Sequence, residues 1–462
     1  MTSYNPTMIK SVDLVIVARW VLPVIPKNTV LEHQAVVVHQ GVVIEICPAS
    51  IVSERFVANE TVHLDEHVLM PGLINLHTHA AMSLMRGLAD DVPLMPWLEK
   101  HIWPVEQRFV SPPFVYDGTL LACAEMLSGG ITTFNDMYFF PEASIQAATQ
   151  IGMRAHIGLV VLEFATNYAN DAGMYLEKGT AVRDAYKTQP RITFSFAPHA
   201  PYTASDATLS TIGTLAEQLD LGIHTHMHET MHEVQTSKAN HGLSPLTRFA
   251  NLGLLGTRLT LAHCVHVNDA DMQLMADYGC HIAHCPTSNL KLASGIAPMA
   301  KCDALGINIG IGTDGAASNN RLDMFAEMRM AALLAKGQSG DATAISAHQA
   351  LEMATINGAK ALGLESQLGS VTVGKQADLI AVNMAEMVSQ PCYDPISHLV
   401  YVASRENVTH TWVDGQLRYN KPESSTGVFS QGVFSEVEPH TLLHIAQQWH
   451  HKLSGAFSHR QA

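Results

Sequence analysis

Positive charge is scarce in this chain. Its 462 residues carry 27 Lys and Arg against 42 Asp and Glu, a formal net charge of -15, and no basic cluster interrupts the deficit. A surface of that sign repels phosphate backbones and anionic bilayers, which argues against nucleic-acid or membrane-surface partners. Long apolar runs are also missing. The N-terminal stretch VDLVIVARWVLPVI is broken by Asp13 and Arg19, too short and too charged for a membrane span, and no secretory leader is read there. A cytoplasmic location is expected. Cysteine is sparse, seven residues with no C-x-x-C pair, which excludes a disulfide framework and fits reduced thiols. Internal repeats, low-complexity tracts and long linkers are absent.

What remains is a chain with 47% hydrophobic and 15% charged residues, longer than one ordinary domain and able to bury a large core. Eight short apolar runs begin near residues 73, 131, 154, 192, 222, 259, 281 and 307, each followed by a segment long enough for a helix. That alternation predicts an α/β fold, a closed (β/α)8 TIM-type barrel over 69–364, whose chemistry sits at the C-terminal strand ends. The flanks VDLVIVARWVLP, QAVVVHQGVVIEIC and VHLDEHVLMPG before it, and GSVTVGKQADLIAVN and VTHTWVDGQLRYN after it, alternate in strand fashion. They are expected to join 1–68 and 365–438 into one small β-sandwich-like domain. Residues 439–462 are expected to form a helical segment packed outside the barrel.

Histidine is abundant, at 26 residues, and its positions repeat the strand ends. His77 and His79 are two apart on the first run and share a face, so both imidazoles are able to meet one ion. His226 closes the fifth run, His263 the sixth and Asp314 the eighth, which brings four histidines and a carboxylate to one barrel mouth. The stretch GIHTHMHETMHE also contains a literal H-E-x-x-H, His228 to His232, the pattern of zinc proteases. That reading needs a helix under both histidines, whereas the alternating, β-branched residues upstream lead directly out of a strand. His228 and His232 are therefore expected in a loop or at a helix start, and His224 inside the barrel. Cys264 and Cys285 read as buried structural thiols, not ligands.

With PGLINLHTHAAMSLMRGLADD, WLEKHIWPVE, APHAPYT, HTHMHET, LAHCVH and GIGTDGAASNN, nearly the whole chain resembles the amidohydrolase superfamily, and specifically its 5'-methylthioadenosine/S-adenosylhomocysteine deaminases. The resemblance implies one Zn2+ per subunit held by His77, His79, His226 and Asp314, with Glu229 and His263 beside it. Iron or manganese also suit such ligands. No lysine ends the fourth run, where His199 stands instead, so a bridged two-metal centre is not expected. The unrelated H-x-E and P-C-x-x-C deaminase pattern is excluded, since PCYDP lacks the second cysteine.

The activity implied is hydrolytic deamination. A metal-activated water attacks the amino-bearing ring carbon, Asp314 takes its proton, Glu229 protonates the adjacent ring nitrogen, and His263 orients the attacking oxygen. By the same likeness Glu106 meets the ribose hydroxyls, His199 contacts the substrate, and Trp97 and Trp103 form apolar walls. The loops contain no Lys/Arg clamp or glycine-rich phosphate cradle, which favours a nucleoside over a nucleotide. AHIGLVVLEFATNYANDAGMYLEKG has none of the arginines that some relatives place there for a substrate carboxylate. Methylthioadenosine is thus the expected substrate, with adenosine or S-adenosylhomocysteine secondary. A free amino-heterocycle deaminase and a catalytically silent scaffold are the competing readings, and a homo-oligomer is compatible with either.

Overall fold

The computed structural model describes residues 9–421 and 433–457. The eight runs form eight strands of one sheet, hydrogen-bonded in chain order. They are Leu73–Thr78, Ile131–Tyr138, Arg154–Val161, Ile192–Pro198, Gly222–Met227, Leu259–His263, His281–His284 and Asn308–Ile311. All consecutive pairs are parallel. Every residue of the second and third strands is buried. Helices cover the outside while side chains fill the inside, so these strands show no clean alternation of polar and apolar residues. The expected (β/α)8 barrel is the observed one.

Side chains close the seam between the last strand and the first. Asn75 Oδ1 accepts the Thr313 N–H at 2.9 Å, and its Nδ2 donates to Thr313 Oγ1 at 2.8 Å. The Asp314 N–H donates to the His77 carbonyl at 2.9 Å. A Cβ at Gly312 would lie 2.7 Å from His77 N, so only glycine permits this approach. The seam therefore sets Asp314 beside the His-Thr-His end of the first strand.

A second sheet draws strands from both ends of the chain. Its order is Val433–Phe434, Gln416–Asn420, Val408–Val413, Leu379–Asn383, Phe56–Pro71, Lys10–Val21, Leu31–His39 and Val42–Pro48. The sheet folds back on itself: Ala377 N–H donates to Gly41 O at 2.8 Å, and Gly415 N–H to Ala377 O at 2.9 Å. Ile16, Val36, Leu69, Leu379 and Trp412 share the enclosed core, which gives the sandwich-like character expected of the flanks. Arg154, at the start of the third barrel strand, ties the sheets together through Asp378 at 3.0 Å and Asp414 at 2.5 Å. Residues 1–8, 422–432 and 458–462 of the expected segments lie outside the described residues.

The helix Pro439–Phe457 rests on the helix Pro112–Ser128. Trp449 anchors it, stacked edge-on to Phe114 at 5.1 Å, with Nε1 donating to Asp117 Oδ2 at 2.7 Å. All seven cysteines are free, Cys264 and Cys285 fully buried. Among the described residues no helix is long and apolar enough to cross a membrane.

Candidate metal centre and active site

Four strand ends supply a compact donor set. Ligand atoms of His77, His79 and His226 lie within 4.8 Å of one another, and so do those of His77, His263 and Asp314. His79 Nε2 is 3.3 Å from His226 Nε2 and 3.3 Å from Asp314 Oδ1, while His77 Nε2 is 3.6 Å from Asp314 Oδ1. The far nitrogen of each ring is already engaged. His79 Nδ1 bonds to Met137 O at 2.6 Å, His226 Nδ1 to His199 O at 2.6 Å, and His77 Nδ1 to His224 Nε2 at 2.9 Å. Those bonds aim every Nε2 inward, and His77 Nε2 is buried with no hydrogen-bond partner among the described residues. A buried lone pair without a proton donor, facing two more imidazoles and a carboxylate, fits a divalent cation. Burial holds His77 and His226 well below the usual imidazole range, so both remain neutral, as ligation requires.

Asp314 is fixed from both sides. Its Oδ1 accepts the Gly315 N–H at 2.7 Å, and its Oδ2 accepts Ser288 Oγ–H at 2.6 Å and Ser318 Oγ–H at 2.8 Å. Burial would raise this carboxyl, but the imidazoles of His79 and His263 and the Ser288 hydroxyl outweigh it and hold the group below its ordinary value. Glu229 differs: burial prevails over the attraction of His263 and raises its carboxyl. The two acids are thus pushed apart, one toward base and one toward acid. His263 lies between them, Nε2 3.9 Å from Glu229 Oε2 and Nδ1 held by Asn289 Oδ1 at 2.8 Å. Burial alone would depress His263, yet Glu229 and Asp314 reverse the shift and raise it. Both His263 and Asp314 have left-handed backbones, φ 71° and 61°, conformations that cost energy outside glycine and recur where a side chain must be re-aimed.

The donor set lies at the floor of a cavity of ≈ 340 Å³. Trp97, Trp103, Glu106, His199, Glu229, His263 and Asp314 all line it, so the predicted substrate and catalytic residues share one chamber. Val160, Leu162, Phe164 and Tyr168, from the third strand and the loop after it, add an apolar wall. No arginine or lysine lines it among the described residues. Glu106 is half-buried, its accessible surface facing the cavity, and burial pushes its carboxyl up to about 7 despite the Tyr138 hydroxyl donating at 2.8 Å. Burial, with the His79 imidazole nearby, pushes His199 down to about 3.

The H-E-x-x-H pattern is divided between two elements. His228 follows the fifth strand at φ 52° and is turned away from the cluster: its Nδ1 bonds to His266 O at 3.1 Å and its Nε2 accepts from Leu246 N at 3.2 Å. His232 is exposed on the helix Met231–His241, capped by Thr230. Glu233 reaches back from that helix to accept the N–H groups of His228 and Glu229, each at 2.9 Å, and so fixes the backbone that carries Glu229. Sequence reasoning passed over Glu233, Tyr138, Ser288, Asn289 and Ser318. Of these only Glu233 leaves a spacing signal, standing three residues after the helix-capping Thr230.

An amidohydrolase family model matches residues 68–418, the barrel together with the second-sheet strands Leu379–Asn383 and Val408–Val413. The chain belongs to the amidohydrolase family. This amidohydrolase is 48% identical over 426 residues to the 5-methylthioadenosine/S-adenosylhomocysteine deaminase of Saccharophagus degradans, covering 92% of this chain and 94% of that protein. It is 47% identical over 409 residues to the enzyme of the same name from Teredinibacter turnerae, covering 88% and 92%. Among solved structures, an adenosine deaminase from Xanthomonas campestris with bound zinc superimposes with a TM-score of 0.93 at 42% identity, covering 97% of this chain and 100% of that one.

Proposed function

We propose that this amidohydrolase is a zinc-dependent hydrolytic deaminase of adenine nucleosides, with 5'-methylthioadenosine preferred. The observation that carries the reading is the convergence of three Nε2 atoms and the Asp314 carboxylate beside Glu229, at the floor of an apolar cavity. His77, His79, His226 and Asp314 are the residues that would hold the metal. Zinc is inferred from this donor set and from the zinc-bound deaminase of the same fold. When bound, the ion supplies Lewis acidity that makes water a nucleophile near neutral pH.

The protein's own groups complete the reaction. Asp314, held in its ionised form, accepts the proton of the attacking water. Glu229, raised toward its protonated form by burial, donates to the ring nitrogen beside the amino-bearing carbon, which weakens aromatic resistance to attack. His263, anchored by Asn289, presents Nε2 to the attacking oxygen. Asp314 then passes the proton it took to the amino nitrogen, the C–N bond breaks and ammonia leaves. The added oxygen loses its remaining proton, which restores Glu229, as a carbonyl replaces the amine.

Substrate choice follows from the chamber. Glu106 accepts the ribose hydroxyls, His199 meets the base, and Trp97 and Trp103 enclose it. Val160, Leu162 and Phe164 suit a 5' thioether, and among the described residues the cavity offers no Arg or Lys to pair with an amino-acid carboxylate. The test is a panel of methylthioadenosine, adenosine, S-adenosylhomocysteine and guanine, assayed for ammonia release with metal content measured on the same preparation. Methylthioadenosine should give the highest kcat/KM. A higher value for S-adenosylhomocysteine would overturn the preference, and no turnover of any nucleoside by metal-loaded protein would overturn the function.

A further inference from the structure

Two of the three proposed ligand imidazoles are oriented by backbone carbonyls, Met137 O behind His79 and His199 O behind His226. A carbonyl only accepts, so each of those rings must carry its proton on Nδ1 and present an unprotonated Nε2. His77 is different. Behind it stands another imidazole, His224, with His224 Nε2 2.9 Å from His77 Nδ1. His77 is fully buried and His224 is 1% exposed, so water does not compete for the bond. A nitrogen-to-nitrogen hydrogen bond has two possible directions, and they are not equivalent for the metal. If His77 Nδ1–H donates, His77 Nε2 is a free lone pair. If His224 Nε2–H donates, the His77 proton moves to Nε2 and the ring cannot ligate.

We infer that His224 is a positioning residue whose Nδ1–H tautomer, by leaving its Nε2 as an acceptor, selects the metal-binding form of His77. The inference rests on the proposed metal centre. His224 belongs to the fifth strand, two residues before His226, so its side chain lies on the same inward face as that ligand and beneath it. Among the described residues its own Nδ1 is buried without a partner, so no second hydrogen bond of its own holds the residue there. A histidine kept for packing alone would impose that unsatisfied buried polar atom with no return, whereas an apolar side chain would not. The acceptor role toward His77 accounts for imidazole at this position.

The test compares Zn2+ affinity, by chelator competition, in the full-length protein and in His224→Gln and His224→Leu. Glutamine places an amide oxygen near the position of the imidazole Nε2, whereas leucine offers no acceptor and strands the His77 Nδ1–H. The leucine variant should bind Zn2+ about 10- to 100-fold more weakly, and the glutamine variant should recover most of that loss. KM for the nucleoside should stay within about twofold once metal is saturating, because His224 does not line the cavity. Wild-type Zn2+ affinity in the leucine variant would overturn the inference. Failure of the unaltered protein to bind Zn2+ tightly would instead overturn the metal centre itself. Should the leucine variant not fold, neutron diffraction from the zinc-loaded wild-type protein decides the matter. Deuterium on Nδ1 of both His77 and His224 supports the assignment, and deuterium on His224 Nε2 contradicts it.

Discussion

Replacing Tyr138 by phenylalanine removes one hydroxyl, and its effect is open to calculation. That hydroxyl donates to Glu106 Oε1 at 2.8 Å, the one side-chain hydrogen bond to this carboxylate among the described residues. Burial holds the Glu106 carboxyl at about 7, and the Tyr138 bond lowers it toward the ionised form. The other ionisable groups near it are Tyr175, whose hydroxyl is raised chiefly by its own burial and further by Glu106, and the histidines of the cavity floor. A hydrogen bond to a charged group is worth about 1.5–3 kcal/mol, and one pKa unit is about 1.4 kcal/mol. Without the bond, Glu106 should titrate roughly one to two units higher. Since its ionised form is the acceptor for the ribose hydroxyls, binding is present above that pKa and lost as pH falls through it. At pH 7 the ionised fraction should drop from roughly half to between about 1% and 10%. The acid limb of kcat/KM for methylthioadenosine should therefore move up by one to two pH units, with a loss of ~5- to 50-fold at pH 7 carried by KM. Initial rates from pH 5.5 to 9.5, read by loss of adenine absorbance, measure it. A substrate lacking both ribose hydroxyls should show no such difference. An acid limb that does not move, or a loss confined to kcat, would refute the reasoning.

Other expectations are more direct. Glu229→Gln should lower kcat by ~10²- to 10⁴-fold while metal content and KM stay close to wild type, because it removes a proton donor and no ligand. Chelation should abolish ammonia release, with Zn2+ restoring it and raising thermal stability by roughly 2.7 kcal/mol at free metal a hundredfold above Kd. Recovery of activity without any metal would contradict the site. Arg154→Met leaves the buried Asp378 without its cation while Asp414 keeps Arg191 at 3.3 Å, and a destabilisation of about 3–5 kcal/mol should appear as a lowered Tm with metal affinity unchanged.

The barrel was legible because eight short apolar runs alternate with helix-length segments, and the proposed metal-site residues fall at the ends of four of those runs. His77 and His79 reveal strand spacing, and Asp314 falls where an eighth strand must end. The upstream β-branched alternation likewise separated His226 from the protease-like pattern that follows it. The parts that could not be read depend on how loops meet. Ser288 and Asn289 follow the seventh strand, yet they serve residues of the eighth and the sixth, Asp314 and His263. Nothing in CPTSNL reveals that pairing. Tyr138 and Glu106 are 32 residues apart, and their contact exists only because a loop helix folds over the second strand end. For His224, strand parity predicts an inward side chain but not the ring it would meet, since parity fixes a face and leaves open the stagger between strands across the barrel. The closure at Gly312 is similar: its need for glycine arises from His77, far away in the chain.

The central claim is that His77, His79, His226 and Asp314 gather around one cation. Anomalous scattering at the zinc edge from crystals of the purified protein measures this without reference to any substrate. A single peak enclosed by the three Nε2 atoms and an Asp314 oxygen is the predicted result. A peak held by other residues, or two metal ions bridged at this floor, would contradict the account.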